Sequence, residues 1–111
     1  MNVLLDECLP GKLKHYFPIH FWQTVPEAGL SGIKNGRLLS LAEAAGCEVF
    51  LTLDSGIQYQ QNMSGRVIAV VIIRAWSNRL ADLKPHVDAC RRAIESINSG
   101  EVVRVGNGDT V

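Results

Sequence analysis

The longest apolar run of the chain, Val67–Ile73, covers seven residues without a polar interruption. A strand with one solvated face alternates apolar and polar residues, so an unbroken run indicates a strand that is buried on both faces. Such strands are typical of parallel sheets that are covered by helices on both sides. The run is much shorter than the roughly 20 residues that cross a bilayer, so we expect no membrane span.

Strand-like and helix-like segments alternate along the rest of the chain. Apolar runs predict four further strands, at 2–5, 19–25, 48–53 and 101–105. Helical spacing predicts helices that start near Pro10, that cover Arg37–Ala45 and that run from 80 to 97. Ser77 or Asn78 is the expected N-cap of the last helix. This order predicts an α/β domain with a mostly parallel five-stranded sheet.

Length and composition limit the chain to a simple organisation. Its 111 residues, 47% of them hydrophobic, predict one domain over residues 1–106 with a flexible tail at 107–111. The N-terminus lacks the basic region of a signal peptide, so a cytoplasmic location is expected. Cys8, Cys47 and Cys90 are odd in number and widely spaced. We therefore expect free thiols, mostly buried, rather than disulfides or a zinc site.

The net charge of zero argues against a generic nucleic-acid coat protein. The charges are nevertheless unevenly distributed, because residues 61–100 hold six bases and three acids, whereas residues 1–60 hold four bases and six acids. This basic segment is either a nucleic-acid contact or an ordinary solvated helix face.

Acidic residues follow two of the predicted strands. Asp6 and Glu7 come after the first strand, and Asp54 comes after the third. The carboxyl ends of parallel strands meet at one edge of the sheet, where neighbouring strands lie about 5 Å apart. Carboxylates at that range repel unless a cation lies between them, and Mg²⁺ or Mn²⁺ suits oxygen ligands. Alternatively, Asp6 caps the helix entered at Pro10 and Asp54 only forms a turn.

Basic and amide side chains near this edge could bind a phosphate or a base. Arg74 follows the fourth predicted strand and could hold a phosphate, as could Arg79. The amide-rich segment around Tyr59 and Gln60 could contact a ribose or base, or be a solvated loop. The remaining RNA-binding candidates are Asn35 and Asn78. The glycines do not form a nucleotide-binding loop.

Several segments resemble one protein family. The chain opens with N-V-L-L-D-E-C-L-P, has G-L-S-G-I-K-N-G-R-L-L in its middle, and continues with L-T-L-D, Y-Q-Q-N and R-A-W-S-N-R-L. These segments resemble a group of small PIN-like proteins that begin with D-E-x-L-P and carry T-x-D at the end of a later strand. The similarity runs from Asn2 to about Gly106.

The resemblance implies a three-layer α/β/α PIN-like fold, which is similar to a Rossmann-like domain. It also implies a Mg²⁺- or Mn²⁺-dependent ribonuclease, and many relatives are the toxin of a toxin–antitoxin pair. Asp6 and Asp54 would then be the catalytic, metal-binding acids, with Glu7 supporting the metal. The expected partners are RNA, an antitoxin protein and a second copy of the chain.

The chain departs from the family pattern at two positions. Many relatives read N-G-E-L-L where this chain has Asn35-Gly36-Arg37, so a cation replaces an acid; the next acid is Glu43. Arg74 stands where a further acid is expected after the fourth strand. The alternatives are therefore a weakened or inactive module that binds RNA or a protein, and a phosphatase that uses the same acids.

Overall fold

A computed structural model describes residues 1–17, 21–54, 56–57 and 63–106. Five strands form one sheet in the order β2-β1-β3-β4-β5, and every neighbouring pair is parallel. The strands are β1 (Asn2–Leu5), β2 (Phe21–Thr24), β3 (Val49–Thr52), β4 (Ala69–Arg74) and β5 (Val102–Gly106). The predicted α/β class with a mostly parallel five-stranded sheet is confirmed.

Helical segments connect the strands. The described segments are a 3₁₀ helix (Gly11–Tyr16), α1 (Asn35–Ala44), α2 (Leu80–Leu83), a 3₁₀ turn (Lys84–His86) and α3 (Val87–Ser96). Parallel strands require such crossovers, because the chain must return from the carboxyl end of one strand to the amino end of the next. The predicted tail at 107–111 and the start of the predicted second strand at 19–20 lie outside the described residues.

The core consists of two clusters on opposite faces of the sheet. In β1, Val3 and Leu5 belong to a cluster that includes residues of the first 3₁₀ helix and α3. Leu4 faces the other way and belongs to a cluster that includes residues of α1. This alternation follows from the two-residue period of a strand. Both faces are therefore packed with apolar residues, which is compatible with a three-layer α/β/α arrangement.

Strand β4 begins later than its apolar run predicts. Val67 is 62% exposed, and the strand starts at Ala69, whose register partner is Val49. Because β3 begins at Val49, no strand lies beside Val67 to pair with it. The prediction that Val67 belongs to the buried strand was wrong, although the rest of the run, Ile68–Ile73, is fully or almost fully buried.

The predicted helix over 80–97 is interrupted near its start. Pro85 has no amide hydrogen and cannot continue the hydrogen-bond pattern, so α2 ends at Leu83 and α3 starts at Val87. The capping prediction was also wrong, because the N-cap of α2 is Arg79 and no side chain caps it. Ser77 Oγ accepts a hydrogen bond from the Arg79 amide instead.

The strand order contains a reversal that positions a crevice. From β1 the chain moves to β2 on one side, and β3 then pairs with β1 on its other side. The gap between the carboxyl ends of β1 and β3 is therefore a topological switch point, where ligands of open α/β sheets bind. Within the described ranges, no helix has the length and apolar character needed to cross a bilayer.

Candidate functional site

Asp6 lies at the switch point because the β1–β3 pairing continues one residue beyond β1. Leu5 is the register partner of Leu51, and the Asp6 amide donates to the Leu51 carbonyl at 3.0 Å. The Asp6 side chain consequently lies next to the end of β3. This is the convergence of first-strand and third-strand residues that the sequence predicts.

Thr52, the last residue of β3, connects the two acids. Its side chain is completely buried, and it is the only buried polar residue in the described part of the chain. Its Oγ1 donates to Asp6 Oδ2 at 2.6 Å and accepts from the Asp54 amide at 3.0 Å. One hydroxyl therefore fixes the position of the Asp6 carboxylate relative to the backbone of Asp54.

The Asp6 carboxylate has two further contacts. Oδ1 accepts from the Glu7 amide at 2.8 Å, and Oδ2 accepts from Cys8 Sγ at 3.5 Å. Asp6 does not cap the following helix, whose N-cap is Pro10 and has no side-chain bond. The carboxylate is instead half-buried and held by several donors at the sheet edge.

Asp54 forms the turn that the alternative interpretation predicts. Its Oδ1 accepts from the Gly56 amide at 2.9 Å, which is an Asx turn. An ionised carboxylate has about four lone-pair sites, and this bond uses one of them. The turn therefore orients Asp54 without excluding a role as a metal ligand.

Cys8 contributes a neutral thiol to the same cluster. Burial is the largest effect and raises its pKa; a hydrogen bond from the Leu53 backbone lowers it in part, and the negative charge of Asp6 raises it again. The thiol therefore remains protonated and serves as a donor to Asp6, not as a nucleophile. All three cysteines are free, as predicted, with Cys47 and Cys90 buried and Cys8 half-buried.

Glu7 points away from the Asp6–Thr52 contact. Its Oε1 accepts from the Gly32 amide at 3.1 Å, and the residue is exposed. Glu7 thus links the segment after β1 to the loop that precedes α1. The first turn of α1 contains no acid, and Arg37 is exposed there. Glu43 pairs with Arg66 at 3.3 Å between Oε1 and Nη1.

Among the predicted phosphate and RNA contacts, Asn78 is placed at the site. Its Nδ2 donates to the Cys8 carbonyl at 3.2 Å, so the loop after β4 is attached to the segment after β1. Arg79 Nε lies 3.5 Å from Asp82 Oδ2, and Arg74 ends β4 beside Gly106. Tyr59, Gln60 and the side chain of Asn35 lie outside the described residues.

The oxygen donors at this edge fit a hard divalent ion. Asp6 and Asp54 supply carboxylate oxygens, which Mg²⁺ and Mn²⁺ prefer, and the buried Thr52 hydroxyl positions them. The described ranges contain no group of three His, Cys, Asp or Glu residues that could hold a metal. Mg²⁺ commonly binds through one or two carboxylates, while waters or substrate phosphates complete its coordination. The donor set therefore fits an ion that keeps several waters, which a substrate phosphate can replace.

Sequence reasoning did not assign a role to Thr52 or Cys8. The signal for Thr52 was present, because it is the last residue of an otherwise apolar strand and immediately precedes Leu53-Asp54. A polar side chain at a buried strand position needs a hydrogen-bond partner. Cys8 gave no comparable signal, since its contact with Asp6 depends on the bend of the chain after β1.

Comparison with known proteins gave no match to any family model, curated protein or solved structure. The resemblance to PIN-like proteins therefore remains a prediction. The functional argument depends on the geometry at the carboxyl ends of β1 and β3.

Proposed function

We propose that the chain is a Mg²⁺- or Mn²⁺-dependent ribonuclease of PIN-like type, whose centre is formed by Asp6, Thr52 and Asp54. The observation that carries this proposal is the buried Thr52 hydroxyl, which contacts the Asp6 carboxylate and the Asp54 amide at the switch point. This contact holds the first of two acids at the edge of the sheet where ligands of open α/β sheets bind.

Each residue has a distinct task in this proposal. Asp6 and Asp54 would bind the divalent ion, which when bound supplies an acidified water and neutralises charge on the phosphate. Thr52 donates to Asp6 Oδ2 and so holds the carboxylate in one orientation. Arg74 or Arg79 would bind a phosphate oxygen of the RNA. Asn78 keeps the loop that carries Arg79 against the segment after β1.

Calorimetric titration with Mn²⁺ is the first test. Wild type should bind Mn²⁺, and binding should be abolished in the Asp6→Asn/Asp54→Asn double variant. Asp88→Asn is the matched control, because Asp88 is an exposed acid on α3 that pairs with Arg91 within its own helix. Equal Mn²⁺ binding by the double variant and wild type would contradict the proposal.

Cleavage is the second test. Wild type should cut single-stranded RNA in Mn²⁺, and EDTA should stop the reaction. Purified Asp6→Asn should lose cleavage while Asp88→Asn retains it, which separates the protein's own activity from contaminating nuclease. Undiminished cleavage by Asp6→Asn would overturn the assignment of this residue.

One observation favours a second candidate, a module that binds RNA or a protein without turnover. Arg37 is exposed in the first turn of α1, where the resemblance leads us to expect an acid. The next acid in α1, Glu43, is paired with Arg66. RNA binding that persists in EDTA and weakens with added salt, without cleavage in Mn²⁺, would favour this candidate.

The proposed partners follow from the ribonuclease assignment. RNA is the substrate, and an antitoxin protein would restrain a nuclease of the toxin type in the cytoplasm. Co-purification of the native chain with the product of an adjacent small reading frame tests the antitoxin proposal. Light scattering of the purified chain tests for a homodimer.

A further inference from the structure

Trp76 is the most exposed of the large apolar side chains that the structure describes. It is 85% exposed, whereas Trp22 is 9% exposed and stacks on Phe17 with ring centroids 4.2 Å apart. Trp76 lies on the loop 75–79, which follows β4 at the same sheet edge as Asp6 and Asp54. Tryptophan is enriched at binding interfaces, where its ring supplies a large contact area.

The loop that carries Trp76 is attached to the candidate site. Asn78 Nδ2 donates to the Cys8 carbonyl at 3.2 Å, and Cys8 Sγ is 3.5 Å from Asp6 Oδ2. On its other side, Ser77 Oγ accepts from the Arg79 amide and donates to Asp82 Oδ2. The loop that carries the indole is therefore hydrogen-bonded to the segment after β1 and to the start of α2.

The charges on this loop identify the chemistry of the partner. Arg74 precedes Trp76 by two residues and Arg79 follows it by three, and the Arg79 side chain is 81% exposed. Proteins that bind single-stranded nucleic acids combine cations for the phosphates with aromatic rings on which unpaired bases stack. The loop brings both kinds of group to one edge.

We infer that Trp76 is a stacking platform for an unpaired RNA base, in the RNA segment that the proposed site at Asp6 and Asp54 would cleave. This inference rests on the proposed ribonuclease function and adds that its substrate is single-stranded at this position. Bases inside a duplex are already stacked, so a duplex should not use the indole in this way.

The test is binding of a fluorescein-labelled, 12-nucleotide single-stranded RNA of mixed sequence, followed by anisotropy in EDTA at constant low salt. One lost base–aromatic stack should raise the Kd of Trp76→Ala about 5- to 150-fold. Trp76→Phe should retain most of the affinity, because a phenyl ring still offers a stacking face. RNA should quench the tryptophan emission of wild type but not that of Trp76→Ala.

Tyr16→Ala is the matched control. Tyr16 is also an exposed aromatic residue with a cation beside it, since Lys84 Nζ lies 5.2 Å from its ring centroid. It is the last residue of the 3₁₀ helix Gly11–Tyr16, which leads the chain away from the site toward the start of β2. Its replacement should leave the Kd unchanged, and a 12-base-pair duplex should bind equally to wild type and Trp76→Ala.

Two results would overturn the inference. The first is an equal loss of affinity in Tyr16→Ala and Trp76→Ala, or no loss in either. The second is absence of single-strand binding together with self-association that Trp76→Ala abolishes, which would assign the indole to a protein contact. Because the assay contains EDTA, it measures RNA binding independently of metal-dependent cleavage. Normal Trp76-dependent binding by an Asp6→Asn variant that does not cleave RNA would show that the stacking proposal stands apart from the cleavage proposal.

Discussion

The Thr52 hydroxyl donates to Asp6 Oδ2 at 2.6 Å. A buried side chain at the end of β3 therefore positions the acid that follows β1. The same oxygen accepts from the Asp54 amide. Thr52 is therefore a positioning residue for both acids. The contribution of these two hydrogen bonds to the free energy of unfolding can be measured separately from any activity.

We predict that Thr52→Val lowers the free energy of unfolding by about 1–3 kcal/mol. Valine has nearly the same shape, but it leaves the Asp54 amide and Asp6 Oδ2 without their partner. Thr52→Ser keeps the hydroxyl and should lose less, mainly through the missing methyl group. Urea unfolding of the three proteins gives the comparison, and a Thr52→Val variant as stable as wild type would show that the bonds contribute nothing.

Arg37→Glu should strengthen Mn²⁺ binding about tenfold, equivalent to about 1.4 kcal/mol. Residue 37 is in the first turn of α1. The loop before α1 is held by the Gly32–Glu7 hydrogen bond to the segment after β1, at the edge that carries Asp6 and Asp54. The change removes a cation and adds a carboxylate near that edge. Calorimetry on Arg37→Gln separates the two effects; if Gln and Glu improve binding equally, residue 37 supplies no ligand.

Gly106→Ala should lower the free energy of unfolding by about 2–4 kcal/mol. Gly106 has φ of +107°, and an added Cβ would lie 2.5 Å from the Arg74 carbonyl oxygen. Gly29→Ala is the control, because its φ is +76° but, its two chain neighbours apart, the described residues have no atom within 4 Å of an added Cβ. It should cost only about 1–2 kcal/mol. Thermal unfolding of both variants distinguishes the crowding at Gly106 from strain alone.

Acid should remove the contribution of Glu27 to stability. The Thr24 amide, and then Lys14, lower the Glu27 pKa from 4.5 to about 2. Since the folded pKa is depressed, the contribution is complete above pH 4.5 and is lost as the pH falls toward 2. The difference in melting temperature between wild type and Glu27→Gln should therefore shrink over that interval. A constant difference down to pH 2 would contradict this assignment.

The strands could be predicted because their signals are local. Asn2–Leu5 was predicted with its observed bounds, and 48–53 contains the whole of β3. Both strands are buried on two faces and flanked by polar residues, so few alternatives compete. Val67 was misassigned because its burial depends on where β3 begins, which an apolar run does not reveal.

The sequence predicts only those parts of the candidate site whose positions follow from where the strands end. Placing Asp6 and Asp54 at one edge required only that their strands be parallel near neighbours, which the structure confirms. The roles of Thr52 and Asn78 depend on side-chain contacts across 46 and 70 residues of sequence, and that of Cys8 depends on the bend of the chain after β1. Periodicity carries no information about such contacts.

The pairing of β1 with β3 has a consequence for synthesis of the protein. Asp6 and Thr52 are 46 residues apart, and the first acid therefore leaves the ribosome well before the hydroxyl that orients it. Until β3 has emerged and docked, β1 can pair only with β2, and the edge that would hold both acids does not exist. The edge that carries both acids is therefore completed only after residue 52 has left the ribosome, whatever its function.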